Sequence, residues 1–135
     1  MAELHGAVGI LFAAATGMDD DMRDLQRDYL ADLRQTVVQM REHGRGLTSN
    51  FKSAFPALLF LAHQLKGSGG SLGFPRISEL ARKMSEELNL FLDEEHASRP
   101  TPEELSQTLM ALSGELESEI AALWSAAAMP PRPSD

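Results

Sequence analysis

The stretch His63-Gln64-Leu65-Lys66-Gly67-Ser68-Gly69-Gly70 is where this chain departs most from what packing alone requires. A glycine in a helix interior costs about 1 kcal/mol relative to alanine, yet Gly67, Gly69 and Gly70 all stand in an otherwise helical pattern. At about 100° per residue, with the apolar stripe centred on Leu58, His63 lies roughly 140° away and faces solvent. Lys66, at i+3, is a surface neighbour of the imidazole, and Gly67 at i+4 and Gly70 share the outward face. The local design is an exposed imidazole with one cation beside it and no side chain on the next turn. Neutral imidazole is nucleophilic near neutral pH, and an adjacent cation favours the neutral form before attack and a dianionic phosphate after it. The arrangement suits a histidine that receives a phosphoryl group on His63, with Lys66 as the phosphate's charge partner and Gly67 as clearance for a bulky partner.

The surroundings fit an acidic partner. Between residues 43 and 83 the basic side chains are Arg45, Lys52, Lys66, Arg76, Arg82 and Lys83, against Glu79 alone, in a chain of formal net charge −8. Such a basic zone complements an acidic pocket. Leu59 and Phe60, at i−4 and i−3 from His63, fall outside the core stripe and offer apolar contact area. With Gln64, Gly70, Arg76 and Lys83 they make up the candidate docking residues.

The elements that must hold these residues are helical almost throughout, and no strict alternation reads as a strand. Met22, Leu25, Tyr29, Leu33, Val37 and Met40 recur every three or four residues, with caps at Asp19 to Asp21 and a close at Arg41, His43 and Gly44. Residues 43 to 52 read as a loop. The second stripe is Phe55, Leu58, Ala62, Leu65, Gly69 and Leu72, stopped by Gly73 and Pro75. Pro75 opens a third helix, since its fixed φ suits a first turn, with Ile77, Leu80, Met84, Leu88 and Phe91 inward. Thr101-Pro102-Glu103-Glu104 matches a capping box ahead of Leu105, Leu109, Leu112, Leu116, Ile120 and Leu123. The methionines sit mostly at stripe positions and read as core. The expected fold is all-α, an antiparallel up-down four-helix bundle over residues 18–128. An apolar N-terminal segment, 1–17, is expected to add a short capping helix, and the proline-rich tail 129–135 to fray.

With these residues in view, the chain resembles a histidine-containing phosphotransfer (HPt) domain. The family motif, His-x-Leu-Lys-Gly-Ser-small-small-x-Leu-Gly, is matched by His63, Leu65, Lys66, Gly67, Ser68, Gly69, Gly70, Leu72 and Gly73, and Pro75-Arg76 continues in the family's style. The resemblance implies a phosphorelay intermediate that accepts a phosphoryl group on His63 from a receiver-domain aspartate and passes it to another receiver. The implied partners are the receiver domains of a hybrid histidine kinase and of a response regulator. No cofactor of its own is implied, Mg²⁺ being expected on the receiver only. Two departures stand out. Glycines occupy 69 and 70 where Ser or Ala is usual, and the family's Leu-Glu pair in the next helix is here Met84-Ser85, with Glu86 one position off.

Composition narrows the other possibilities. A chain of 135 residues argues for one domain. The absence of cysteine excludes a disulfide framework, a zinc ribbon and a thiol nucleophile. Net acidity argues against a nonspecific grip on nucleic acid or anionic lipid. The apolar run from Ala7 to Ala15 is far short of the roughly 20 residues that span a bilayer, so a cytoplasmic, monomeric protein is expected. His5, His43 and His96 lie in different segments without i, i+4 pairing, so no metal site is expected. Gly69-Gly70-Ser71-Leu72-Gly73 fits G-x-S-x-G, but a helix precedes it where the hydrolase serine needs a strand-to-helix elbow. No phosphate-binding loop signature accompanies the glycines, and an ATP site is not visible, so a phosphocarrier rather than a self-sufficient enzyme is expected. Sensor-kinase dimerisation helices share the His-x-Leu-Lys start but would show Thr-Pro after the basic residue. The alternative function is a noncatalytic helical adaptor that binds a signalling partner without phosphotransfer.

Overall fold

The computed structural model describes residues 19–126. The expected capping segment at 1–17 and the tail at 129–135 lie outside the described residues. Four helices follow one another: α1 (Asp19–Gly46), α2 (Phe51–Ser71), α3 (Pro75–Leu92) and α4 (Pro102–Ala126). Each packs against two neighbours, in the ring order α1, α2, α3, α4 and back to α1. Side-chain bonds fix the directions. The start of α1 meets the end of α2 through Tyr29 and Ser68, and the start of α4 meets the end of α1 through Ser106 and Gly44. Arg76, at the start of α3, reaches Glu115 on α4. The bundle is therefore up-down and antiparallel, as the short connections require.

The interior is built from the apolar stripes. Leu30, Leu33, Val37 and Met40 of α1 meet Leu58, Ala62 and Leu65 of α2, Ile77, Leu80, Met84 and Leu88 of α3, and Leu105, Leu109, Leu112, Leu116 and Ile120 of α4, all buried. One stripe residue fails. Leu25, expected inward, is 55% exposed. The phase of the buried stripe Leu30, Leu33, Val37 and Met40 falls instead on Gln26, which bonds the carbonyl of Leu72 just past the end of α2, and Leu25 lies about 100° round the helix from it. Leu30, one residue along from Tyr29, takes the buried place instead, and Tyr29 is half-buried.

The end of α1 also differs from expectation. The helix does not close at Gly44 but runs to Gly46, leaving only residues 47–50 as the connection and starting α2 at Phe51. Gly44 is a packing glycine. A Cβ there would stand 3.2 Å from Met110 Sδ, and Ser106 Oγ donates a 2.7 Å bond to the Gly44 carbonyl. Close approach of α4 outweighs the modest propensity cost of a helical glycine. At the far end of the next hairpin, Phe51, Phe55 and Phe91 cluster with ring centroids 5.0–5.7 Å apart, and the Arg99 guanidinium lies over the Phe91 ring.

Two boundaries follow the sequence closely. Gly73 has φ 86°, and the Phe74 amide bonds the Gly69 carbonyl at 2.7 Å while the Gly73 amide bonds Gly70 at 3.2 Å. This is a Schellman closure, which satisfies the last carbonyls of α2 and needs a residue tolerant of the left-handed region. Pro75 then occupies the first turn of α3. At α4 the capping box is formed in both directions. The Thr101 amide donates to Glu104 Oε1 at 2.9 Å and the Glu104 amide donates to Thr101 Oγ1 at 3.1 Å.

Candidate functional site

His63, Gln64, Lys66 and Gly67 all lie exposed on α2, on the face opposite Leu58, Ala62 and Leu65. A Cβ built on Gly67 meets nothing within 4 Å, so no other helix occupies the turn after the imidazole. Phe60, one turn before His63, is 62% exposed. The helix thus presents an aromatic ring, an imidazole, an ammonium and a bare backbone turn along one solvent-facing strip. Among the described residues no ion pair engages Lys66.

The remaining two glycines do different work. A Cβ on Gly69 would stand 3.0 Å from the Ser78 backbone nitrogen and 3.1 Å from Ile77 Cγ2, so this position lets α3 come close to α2. Gly70, expected on the open face beside Gly67, is instead half-buried against Ser78, whose Oγ would lie 3.6 Å from an added Cβ. The reason is the crossing of α3 over the end of α2, which a single helical wheel cannot show. Leu59 is likewise half-buried and packed against the core rather than wholly outside it.

Side chains from both neighbouring helices fasten the glycine-bearing half of α2. From α1, Tyr29 Oη and Ser68 Oγ share a 2.7 Å hydrogen bond, and Gln26 Nε2 donates to the Leu72 carbonyl at 2.8 Å. From α3, Ser78 Oγ donates to the Lys66 carbonyl at 2.6 Å. The Tyr29 ring also stacks on Phe74, centroids 5.9 Å apart. Burial pushes the Tyr29 phenol above its ordinary value, with the Ser68 bond working in the opposite direction. Of these anchoring residues, Tyr29 read only as core from the sequence, and Gln26 and Ser78 gave no signal, because each bond depends on the register of two helices.

The basic zone is less uniform than its sequence. Arg76 donates to Glu79 at 2.6 Å and to Glu115 of α4 at 3.3 Å. The bond to Glu79 raises the Arg76 guanidinium above its ordinary value, and the same bond holds the Glu79 carboxyl below the usual carboxylate range. Arg76 therefore faces the α3–α4 side, away from the face of α3 where Ser78 meets α2. Lys83, seven residues on, lies by helical spacing on the Arg76 side of α3 and is half-buried. Arg82 is paired with Glu86, so the Glu one position off the family's place is turned to an ion pair, while Met84 is core and Ser85 is buried.

No group of three or more His, Cys, Asp or Glu side chains among the described residues could hold a metal ion, and no helix among them is long and apolar enough to cross a membrane. Residues 20–126 match the family model of the Hpt domain. Comparison with curated proteins and with solved structures gives no match.

Proposed function

Since the chain belongs to the Hpt domain family, with the histidine phosphotransfer role in a phosphorelay that membership carries, we propose that His63 is its phosphoacceptor and that it shuttles the group between two receiver domains. The observation that carries this reading is the open turn at Gly67 beside the exposed His63 and Lys66. A receiver bearing an aspartyl phosphate approaches the outward face of α2. The unprotonated imidazole nitrogen of His63 attacks phosphorus in line, the N–P bond forms, and the P–O bond to the aspartate breaks with its electron pair leaving on the carboxylate. The single N–H proton of the ring sits on the other nitrogen and takes no part in the displacement. The reverse sequence delivers the group to the next receiver.

Each residue has a physical task in that step. The Lys66 ammonium, one turn on, neutralises charge on the transferring phosphoryl oxygens without donating a proton. Gly67 keeps the approach free of side chains, and Phe60 and Gln64 border it, with the partly covered Leu59 and Gly70 beside them. The divalent ion used in transfer belongs to the receiver's acidic pocket, and the chain acts as a monomeric, cytoplasmic carrier with no nucleotide site of its own.

The test is direct. Mixing the protein with a receiver charged with acetyl phosphate should give acid-labile, base-stable phosphate, and His63→Gln should abolish the label while leaving helical content and melting unchanged, because the side chain is exposed. Label that persists in His63→Gln, or that disappears on changing His43 or His96 instead, would reject His63. A receiver that binds without transferring label would favour the adaptor.

A further inference from the structure

Ser78 belongs to α3, yet its hydroxyl donates a 2.6 Å bond to the backbone carbonyl of Lys66 on α2. The bond lands on the residue that carries the cation, one turn after His63. A glycine opens the way to it, since a Cβ at Gly69 would press on the Ser78 backbone nitrogen at 3.0 Å, whereas one at Gly70 would make only ordinary contact, 3.6 Å from the Ser78 hydroxyl. The chain thus gives up a side chain at Gly69, and with it helix propensity, at the place where α3 supplies a hydrogen bond. From the other side α1 grips the same stretch through Ser68 and Leu72, but both of those bonds fall beyond Lys66. Ser78 is the anchor that reaches the backbone of Lys66 itself.

We propose that Ser78 is a positioning residue for phosphotransfer. By holding the Lys66 carbonyl to α3 it fixes the backbone from which the Lys66 ammonium projects, in a helix that Gly67, Gly69 and Gly70 would otherwise leave soft. Transfer between two proteins depends on a charge held in place before the phosphoryl group arrives, and small displacements of such a charge cost rate. Ser78 touches the reaction only through Lys66. The inference rests on the assignment of His63 and Lys66 above.

The experiment compares the unaltered protein, Ser78→Ala, Ser78→Thr, Lys66→Ala and the Lys66→Ala/Ser78→Ala double variant. Three quantities are read: melting temperature, the rate of transfer from a charged receiver, and the half-life of phosphohistidine made chemically with phosphoramidate, which needs no partner. Ser78→Ala should slow transfer about threefold, the scale of one neutral hydrogen bond, and should change the half-life in the same direction as Lys66→Ala. Ser78→Thr, which keeps the hydroxyl, should restore both. In the Lys66→Ala background, removing Ser78 should bring no further loss, because the group it positions is gone. Losses that multiply in the double variant, or normal transfer in Ser78→Ala, would overturn the positioning role while leaving the phosphotransfer reading intact. Absence of label on His63 in the unaltered protein would overturn both.

Discussion

Alanine at two glycines a half-turn apart should have opposite effects. At Gly67 the backbone is helical and an added Cβ meets nothing within 4 Å, so the alanine gains helix propensity without a clash, about 1 kcal/mol. For a domain of this size that is a rise in melting temperature of roughly 4 °C. At Gly69 the same gain is opposed by contacts at 3.0 Å to the Ser78 backbone and 3.1 Å to buried Ile77. Neither neighbour is the free end of a flexible chain, and overpacking of this kind costs about 1–3 kcal/mol. The net expectation for Gly69→Ala is a loss of about 1 kcal/mol, obtained by subtracting the propensity gain from the middle of that range. Thermal and urea unfolding of the two variants measure both signs, and Gly67→Gln adds the functional arm. Its side chain stands beside His63 and should cut receiver-to-His63 transfer at least tenfold while the fold melts no lower than the unaltered protein by more than about 2 °C. A destabilised Gly67→Ala, or a Gly67→Gln that accepts phosphate at the normal rate, would refute the clearance argument.

Lys66→Ala removes an exposed charge that no ion pair engages among the described residues, so its stability should stay within about 0.5 kcal/mol while transfer slows or the phosphohistidine decays faster. Equal kinetics in both directions would return Lys66 to an ordinary solvated charge. The raised Tyr29 phenol implies stability that is fully present below the unfolded tyrosine's ordinary value near 10. As pH rises the unfolded chain loses this proton first, so the contribution fades until the folded phenol ionises. Urea unfolding between pH 8 and about 11 should therefore fall less steeply in Tyr29→Phe than in the unaltered protein, and parallel curves would contradict the burial of the phenol.

How far the sequence carried depended on whether a feature was local. Helical periodicity placed the interiors of α2, α3 and α4, and the Gly73–Pro75 boundary and the Thr101 capping box were legible because their partners lie within a few residues. The exposure of His63, Lys66 and Gly67 followed from one helical wheel. Gly44 reads as a terminus because its reason, the approach of Met110 and Ser106, lies on a helix more than sixty residues away. Leu25 reads as inward because a three-or-four spacing from Tyr29 is satisfied, whereas the buried stripe of α1 runs through Leu30 and Leu33 and so passes one residue away, at Gln26. The bond from Arg76 to Glu115 is not legible because Glu115 is distant in sequence, and Ser78 and Gln26 are silent because a serine or glutamine in a helix looks the same with or without a partner across the groove.

The ring order of the helices has a kinetic side. Contacts between α2 and α3 close across a three-residue elbow, whereas the seam between α1 and α4 joins opposite ends of the chain, with Ser106 and Gly44 separated by 62 positions. Ordering a short loop costs less chain entropy than ordering a long one, so local hairpins can assemble ahead of distant pairings. The helix that bears His63 is thus part of the hairpin that needs least of the rest of the chain to form. The elbow bonds of that hairpin, from the Phe74 amide to Gly69 and from the Gly73 amide to Gly70, are made within the α2–α3 pair alone, so formation of the hairpin that bears His63 and closure of the ring by α1 against α4 are separable steps.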